Sequence, residues 1–176
     1  MPRTPLELVL LDTAGQRDAL LSASVDAALV RLPLDRQGLH AITLYEEVPV
    51  VVCAAESHLT AADELTIADL AGEVLITPRD AVLDVAVPGA APMAFDAPRT
   101  TEEAIATVAA GVGVVVVPMS LARLHHRKDA EYRPLADGPG STVALAWRQG
   151  LEGDQATLVD AFIGIVRGRT ANSSRD

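Results

Sequence analysis

Two threonines followed by two glutamates give the strongest signal for binding chemistry in this 176-residue chain. Thr100 and Glu103 have the spacing of a capping box, in which a hydroxyl and a carboxylate satisfy the first N–H groups of a helix. The N–H groups that remain, together with the helix dipole, attract a carboxylate or a phosphate. We therefore predict an anion-binding helix start at Thr100 and Thr101, and pure capping is the alternative that these residues leave open.

The sequence contains no pattern that indicates catalysis. Gly111 and Gly113 begin like a dinucleotide-binding fingerprint, but Val116 stands where the third glycine is needed. The four histidines fall in three places without a carboxylate at ligand spacing; His125 and His126 indicate a solvated helix end, with metal binding as the alternative. No nucleophile elbow or phosphate loop occurs. We expect no enzymatic activity, no catalytic residue, no cofactor and no metal.

Charge and cysteine content restrict the partners of the chain. The 24 acidic and 14 basic side chains give a net charge of −10, which argues against direct binding to nucleic acid, because phosphate affinity comes from clustered Lys and Arg. Cys53 is the only cysteine, so an intramolecular disulfide is impossible. The N-terminus lacks the layout of a signal peptide, and the longest apolar run is too short to span a bilayer. We expect a cytoplasmic protein without membrane contact.

Apolar runs alternate with helical patterns, which predicts strands linked by helices around a largely parallel sheet. The predicted strands cover residues 6–11, 27–31, 42–45, 49–54, 74–76, 93–95, 114–117 and 142–147. Five helices are predicted. The first ends at Ser22, the second follows a second capping box at Thr66 and Asp69, and the third runs from Thr100 to a cap at Gly111. The fourth runs from Ser120 to Leu124, and the last is marked by Leu158, Phe162, Ile165 and Val166.

Several segments together resemble, in order and spacing, the effector-binding domain of LysR-type transcriptional regulators. They are residues 24–33 (SVDAALVRLP), 44–47 (LYEE), 58–59 (HL), 65–70 (LTIADL), 109–118 (AAGVGVVVVP) and 143–148 (VALAWR). Each segment alone is weak evidence for the family, but their shared order and spacing make the resemblance specific. It covers nearly the whole chain, from Leu6 to Arg167.

The resemblance implies a fold similar to type 2 periplasmic binding proteins, with two Rossmann-like α/β lobes joined by two crossover strands and a ligand between the lobes. Lobe one would comprise residues 1–52 and 145–170, lobe two residues 53–144, and residues 171–176 would form a flexible tail. Two departures accompany it. The given sequence shows no winged helix-turn-helix, and the first strand and helix of the family's domain have no counterpart before Leu6. Either the true start lies upstream of Met1, or the protein is a shortened form whose pocket lacks one wall.

By this resemblance, further residues become candidates for ligand binding. Thr13 matches a position where a small polar side chain faces the effector, and a turn or N-cap role is the alternative. Arg31 would pair with an anionic effector, or else form a surface salt bridge. Thr77 and Pro78 end a strand that would face the ligand, and Pro118 shapes the opposite strand end.

Three functions follow as hypotheses. The first is an effector-sensing domain that binds a small anionic metabolite, acts through protein contacts and does not touch DNA. The second is a degenerate interaction module that binds no ligand and dimerises with itself or with a partner regulator. The third, and least supported, is an enzyme on the same scaffold, because no nucleophile, base or metal set can be named.

Overall fold

The computed structural model describes residues 5–172, and the side chains of residues 5–166. In chain order the elements are α1 (Gln16–Leu21), β1 (Ala27–Arg31), β2 (Leu39–Glu47), β3 (Pro49–Ala54), α2 (Thr101–Ala109), β4 (Val115–Pro118), α3 (Met119–Leu124), β5 (Ala130–Pro134), β6 (Ser141–Arg148) and α4 (Gly153–Asn172). Two single turns of 3-10 helix, His58–Ala61 and Ile67–Leu70, lie between β3 and α2. The predicted flexible tail lies largely outside the described residues.

The chain divides into two compact units, each with a three-stranded sheet. The first unit combines the residues up to Tyr45 with those from Thr142 onward, and the second unit is Glu46–Ser141. These limits fall a few residues before the expected lobe boundaries at 52 and 144. The strand order is β1-β6-β2 in the first unit and β4-β3-β5 in the second.

One core of the first unit lies between α1 and its sheet. Leu20 of α1 packs with Val30 of β1, Leu39 of β2, and Ala144 and Ala146 of β6, and all five side chains are buried. Successive side chains of a strand point to opposite faces, so the residues between them lie on the other face of the sheet. The alternating sequence of β1 therefore determines which side receives α1.

The second unit is built around β3, which is buried on both faces as its valine-rich sequence predicts. Val50 and Val52 lie in a cluster with Ile105 of α2. Val51 and Cys53 face the other side and pack in a second cluster with residues of the two 3-10 turns. This packing anchors the helix that begins after Thr100.

The prediction of a largely parallel sheet is wrong. β1 pairs antiparallel with β6, and β3 pairs antiparallel with both β4 and β5. Parallel pairing occurs at isolated bridges, such as Leu75 with Val114. An apolar run indicates a buried strand, but the direction of its neighbour depends on long-range pairing that periodicity does not contain.

The predicted strand at residues 6–11 is absent from the described structure. Leu8 and Leu10 are 86% and 98% exposed, whereas Leu11 packs against the core of the first unit. A strand is stable when a neighbour pairs with its backbone N–H and C=O groups. The structure describes no such neighbour here, so the strand propensity of this segment is not realised.

Smaller elements also differ from prediction. Val74 and Leu75 form isolated bridges instead of the strand predicted at residues 74–76, and residues 93–95 lie outside any strand. Helix α3 has Pro118 at its N-cap, one residue before its first residue, so Ser120 is not the cap. The structure adds β5, which pairs along β3. The charged residues Glu131 and Arg133 interrupt its apolar pattern, so the sequence did not indicate a strand here.

Candidate functional site

The first turn of α2 is held by a local network of hydrogen bonds. The Thr100 hydroxyl accepts a hydrogen bond from the Glu103 N–H at 3.2 Å, which confirms one half of the predicted capping box. The Glu103 carboxylate accepts instead from the Arg99 N–H and from the Arg99 guanidinium, both at 2.8 Å. These bonds from Arg99 hold the pKa of Glu103 below its usual value. Thr100 is therefore a capping residue.

Thr101 connects this turn to a distant part of the chain. Its side chain is only 4% exposed, and its hydroxyl lies 3.0 Å from Asp80 Oδ1, to which it donates a hydrogen bond. The neighbouring Arg79 N–H donates to the Pro98 carbonyl at 2.9 Å. These two bonds place the segment that begins with Thr77 and Pro78 beside the start of α2.

The arrangement leaves donors available for an anion. Within the described residues, no group accepts from the backbone N–H groups of Thr101 and Glu102. Arg79 is exposed and forms no ion pair with another described residue. The helix dipole favours a carboxylate or phosphate at this position, and Arg79 lies in the segment that bonds to Pro98 just before the helix. The acidic side chains of Asp80 and Glu102 oppose a large negative charge, which favours a ligand with a single carboxylate.

Thr77 and Pro78 themselves border a space too small for a metabolite. With Val116 and neighbouring apolar side chains they line a cavity of about 10 Å³, enough for one water molecule at most. Pro78 is buried and Thr77 is exposed. Pro118 is buried as well and pairs with Pro49 at the end of β4. These three positions shape the strand ends, and ligand contact by any of them stays a prediction.

The two candidates in the first unit have different surroundings. Thr13 is exposed in the turn before α1, and there it is the Asp12 carboxylate that accepts the Gly15 N–H at 2.6 Å. Arg31 is half-buried at the end of β1, where the Gln16 amide bonds to both its backbone N–H and its C=O. Contact of either side chain with a ligand stays a prediction.

Sequence reasoning missed two residues that lie beside the start of α2 in the second unit. Arg79 and Asp80 directly follow the candidates Thr77 and Pro78, and this adjacency in the sequence could have made them candidates as well. Their closeness to Thr101 results from a contact between residues 21 positions apart. Periodicity does not encode such a contact, so only the folded structure could reveal it.

A larger concavity, which the sequence did not predict, lies within the first unit. It measures about 200 Å³ and lies between β2, β6 and α4. His40 and Trp147 line it with ring centroids 5.6 Å apart, and Arg148 and Asp160 contribute opposite charges. A volume of this size accommodates a small aromatic molecule.

The described residues give little support for a reactive cysteine, a metal site or a membrane-spanning helix. Cys53 is fully buried, and burial raises the pKa of its thiol, so the reactive thiolate is disfavoured. Within residues 5–172, no group of three or more His, Cys, Asp and Glu side chains could hold a metal ion. None of the helices in the described part of the chain is both long and apolar enough to cross a bilayer.

Solved structures of two other proteins share this fold. The oxidised form of OxyR superposes with a TM-score of 0.73 and 22% identity, covering 93% of this chain and 81% of the OxyR chain. The BenM effector-binding domain, solved with its effector benzoate, gives a TM-score of 0.72 and 21% identity, covering 94% of this chain and 78% of the BenM chain. This likeness confirms the predicted fold class: the chain has the α/β fold of these two proteins.

The chain belongs to the LysR substrate-binding domain family, whose model matches residues 1–171. CatR of Pseudomonas putida is 36% identical over 166 residues, which are 89% of this chain and 56% of CatR. AlsR of Bacillus subtilis (strain 168) is 27% identical over 144 residues, 76% of this chain and 47% of AlsR. Both relatives are HTH-type transcriptional regulators, and the chain spans about half their length.

Proposed function

We propose that this chain is a cytoplasmic effector-sensing domain that binds a small metabolite carrying a carboxylate at the start of α2. It acts through protein contacts, without catalysis and without contacting DNA itself. The observation that supports this most is the pair of backbone N–H groups at Thr101 and Glu102, which have no acceptor among the described residues. Arg79 belongs to the segment that bonds to Pro98 just before them, and we propose that its guanidinium also contacts the ligand.

The chemical class of the ligand follows from these donors. Backbone N–H groups at a helix start bind anionic oxygen atoms, and a guanidinium adds a charge-assisted hydrogen bond. The membership of the chain in a family of regulatory domains supports a sensing role. BenM, which shares the fold, is known with the carboxylate benzoate. We therefore take small monocarboxylates, aromatic ones included, as the first ligands to test.

The concavity lined by His40 and Trp147 is a second candidate location for the same ligand. Its volume of about 200 Å³ exceeds the space beside Thr77, and Arg148 supplies a positive charge. Asp160 on the opposite wall reduces its attraction for an anion. We favour the start of α2, because two of its donors are backbone N–H groups of a capped helix end, and we use Arg148 to distinguish the two locations.

Isothermal titration calorimetry of the full chain against a panel of small carboxylates tests the proposal. The panel includes benzoate, and uncharged benzamide serves as the control ligand. We expect at least one carboxylate to bind and benzamide not to bind. Loss of one charge-assisted hydrogen bond in Arg79→Gln should weaken binding by about 10-fold or more. The control Arg36→Gln changes an exposed arginine of the first unit and should leave affinity unchanged.

The outcomes separate the hypotheses. If Arg148→Gln weakens binding and Arg79→Gln does not, the ligand site is the concavity of the first unit. If a correctly folded chain binds no carboxylate, the sensing role is contradicted and the interaction module becomes the better account. Turnover of a bound ligand would instead favour the enzyme. Fluorescence anisotropy with duplex DNA at physiological salt should show no binding, and a clear increase would contradict the DNA-independent part of the proposal.

A further inference from the structure

The concavity of the first unit brings aromatic, apolar and charged side chains to one space of about 200 Å³. The sheet supplies His40 at the start of β2, and Trp147 and Arg148 at the end of β6. Helix α4 supplies Val159 and Asp160. All five residues belong to the first unit, so the space is built within one compact part of the chain.

Two hydrogen bonds join the end of β6 to the start of β2. The Gln149 N–H donates to the Gly38 carbonyl at 2.9 Å, and the Gln149 side-chain amide donates to the Leu39 carbonyl at 3.1 Å. The lining residues His40 and Arg148 are the next neighbours of these groups in the chain. The two strand ends that form the sheet side of the concavity are therefore fixed relative to each other by the protein itself.

His40 and Trp147 form an aromatic wall on the sheet side. Their ring centroids are 5.6 Å apart, and the ring planes make an angle of 37°. Rings in mutual contact have centroids about 4.5–7 Å apart, so no ligand fits between these two. A flat ligand would stack on the outer faces of the pair instead. The buried Val159 and the half-buried Leu151 add apolar surface, so the concavity suits an aromatic ring.

Arg148 and Asp160 carry opposite charges and do not neutralise each other. Both line the concavity, yet neither forms an ion pair or a side-chain hydrogen bond with another described residue. Arg148 belongs to β6 and Asp160 to α4, so the two charges come from different walls. A ligand that carries both a carboxylate and an ammonium group can pair with both side chains. A simple carboxylate is repelled by Asp160, and a simple amine is repelled by Arg148.

We infer that this concavity is a separate binding site for an aromatic α-amino acid in its zwitterionic form. The aromatic side chain of the ligand stacks on His40 and Trp147. Its carboxylate accepts hydrogen bonds from the Arg148 guanidinium, and its ammonium group donates to the Asp160 carboxylate. The site goes beyond the carboxylate site proposed at α2, which lies in the other unit.

Fluorescence titration of the full chain with L-phenylalanine tests this inference. Trp147 is the only tryptophan of the chain, so its emission reports directly on the proposed site. We expect a saturable change with a Kd of about 1 mM or lower. Three ligands each lack one group: 3-phenylpropionate the ammonium, phenethylamine the carboxylate and L-alanine the ring. Each should bind at least about 5-fold more weakly than phenylalanine.

Three variants test the contacts one at a time. Asp160→Asn should weaken phenylalanine binding by about 5-fold or more without weakening 3-phenylpropionate, which has no ammonium group. Arg148→Gln should weaken both of these ligands without weakening phenethylamine, which has no carboxylate. His40→Ala should weaken all three ring-bearing ligands by about 3-fold, because it removes part of the stacking surface. A variant that only disturbs the fold would weaken every ligand alike, which would contradict these contacts.

Two matched controls and one variant of the other site complete the test. Arg36→Gln changes an exposed arginine of the first unit, and Asp154→Asn changes an exposed aspartate of α4 outside the lining. Both should leave phenylalanine affinity unchanged. The absence of a saturable change with phenylalanine would overturn the inference, as would equal affinity for 3-phenylpropionate, and neither result bears on calorimetry at α2. Loss of phenylalanine binding in Arg79→Gln would contradict a separate site.

Discussion

Thr100 and Thr101 are adjacent in sequence but have separate roles in the fold. The Thr100 hydroxyl caps α2, whereas the Thr101 hydroxyl is buried and reaches Asp80 in a segment 21 residues earlier. Both roles leave the first N–H groups of the helix available to a ligand. The side chains thus position the site, and the backbone supplies the donors for the proposed carboxylate.

The bond between Thr101 and Asp80 should contribute measurably to stability. Thr101→Val keeps the shape of the side chain and removes the hydroxyl, so we expect a loss of about 1 kcal/mol in the free energy of unfolding. In Asp80→Ala the bond is also lost, and a double-mutant cycle should give a coupling energy of about 1 kcal/mol. Urea unfolding of the four proteins measures it. A coupling energy near zero would show that the bond does not hold the segment to the helix.

Glu103 should make the stability of α2 depend on acid pH. Its pKa is lowered in the folded chain by the Arg99 side chain, so the folded state binds this proton less tightly than the unfolded state. The contribution of Glu103 to the free energy of unfolding is therefore complete above the ordinary pKa of 4.5, and it is lost as the pH falls through the lower pKa of the folded state. Glu103→Gln should lower the melting temperature at neutral pH and have little effect in strong acid.

Thermal unfolding monitored by circular dichroism measures this difference across the pH range. The control is Glu102→Gln at the neighbouring exposed position, which has no hydrogen bond to Arg99. We expect its difference from the wild type to vary much less with pH. A Glu103→Gln effect of the same size at neutral and strongly acid pH would contradict an electrostatic origin.

At the scale of elements, the sequence predicted best where local signals agree. The strand β1, the buried strand β3 and the helix α2 occur where they were expected, because apolar runs and capping residues determine them locally. The strand predicted at residues 6–11 did not form, because strand formation needs a partner that local sequence does not supply. The site at α2 was half predictable: Thr100 and Thr101 indicated the helix start, but the segment of Arg79 and Asp80 reaches it through long-range hydrogen bonds.

The turn between α2 and β4 should tolerate substitutions very unequally. Gly113 has a φ of +67°, and a Cβ there would collide with the backbone of Val74, which accepts the Val114 N–H at 2.9 Å. Gly111 has a φ of +86° but open space around it. We expect Gly113→Ala to cost about 3 kcal/mol, from conformational strain and the clash, and Gly111→Ala only about 1 kcal/mol. Chemical denaturation of both variants measures this, and equal losses would contradict the close approach to Val74.

At the scale of the whole molecule, two α/β units and a net charge of −10 suit a sensing domain better than a nucleic-acid-binding one. The units have distinct cores, and each of the two candidate ligand locations lies within one unit: the start of α2 in the second, the concavity lined by His40 and Trp147 in the first. Variants at Arg79 and at Arg148 therefore test the two locations separately.

The central claim is that the start of α2 binds a carboxylate, and amide NMR during titration tests it most directly. Addition of a carboxylate that binds in calorimetry should shift the Thr101 and Glu102 N–H resonances more than those elsewhere, with saturation at the calorimetric affinity. In Arg79→Gln the same shifts should require about 10-fold more ligand or greater. Saturable shifts confined to residues around His40 and Trp147, with Thr101 and Glu102 unchanged, would contradict the account.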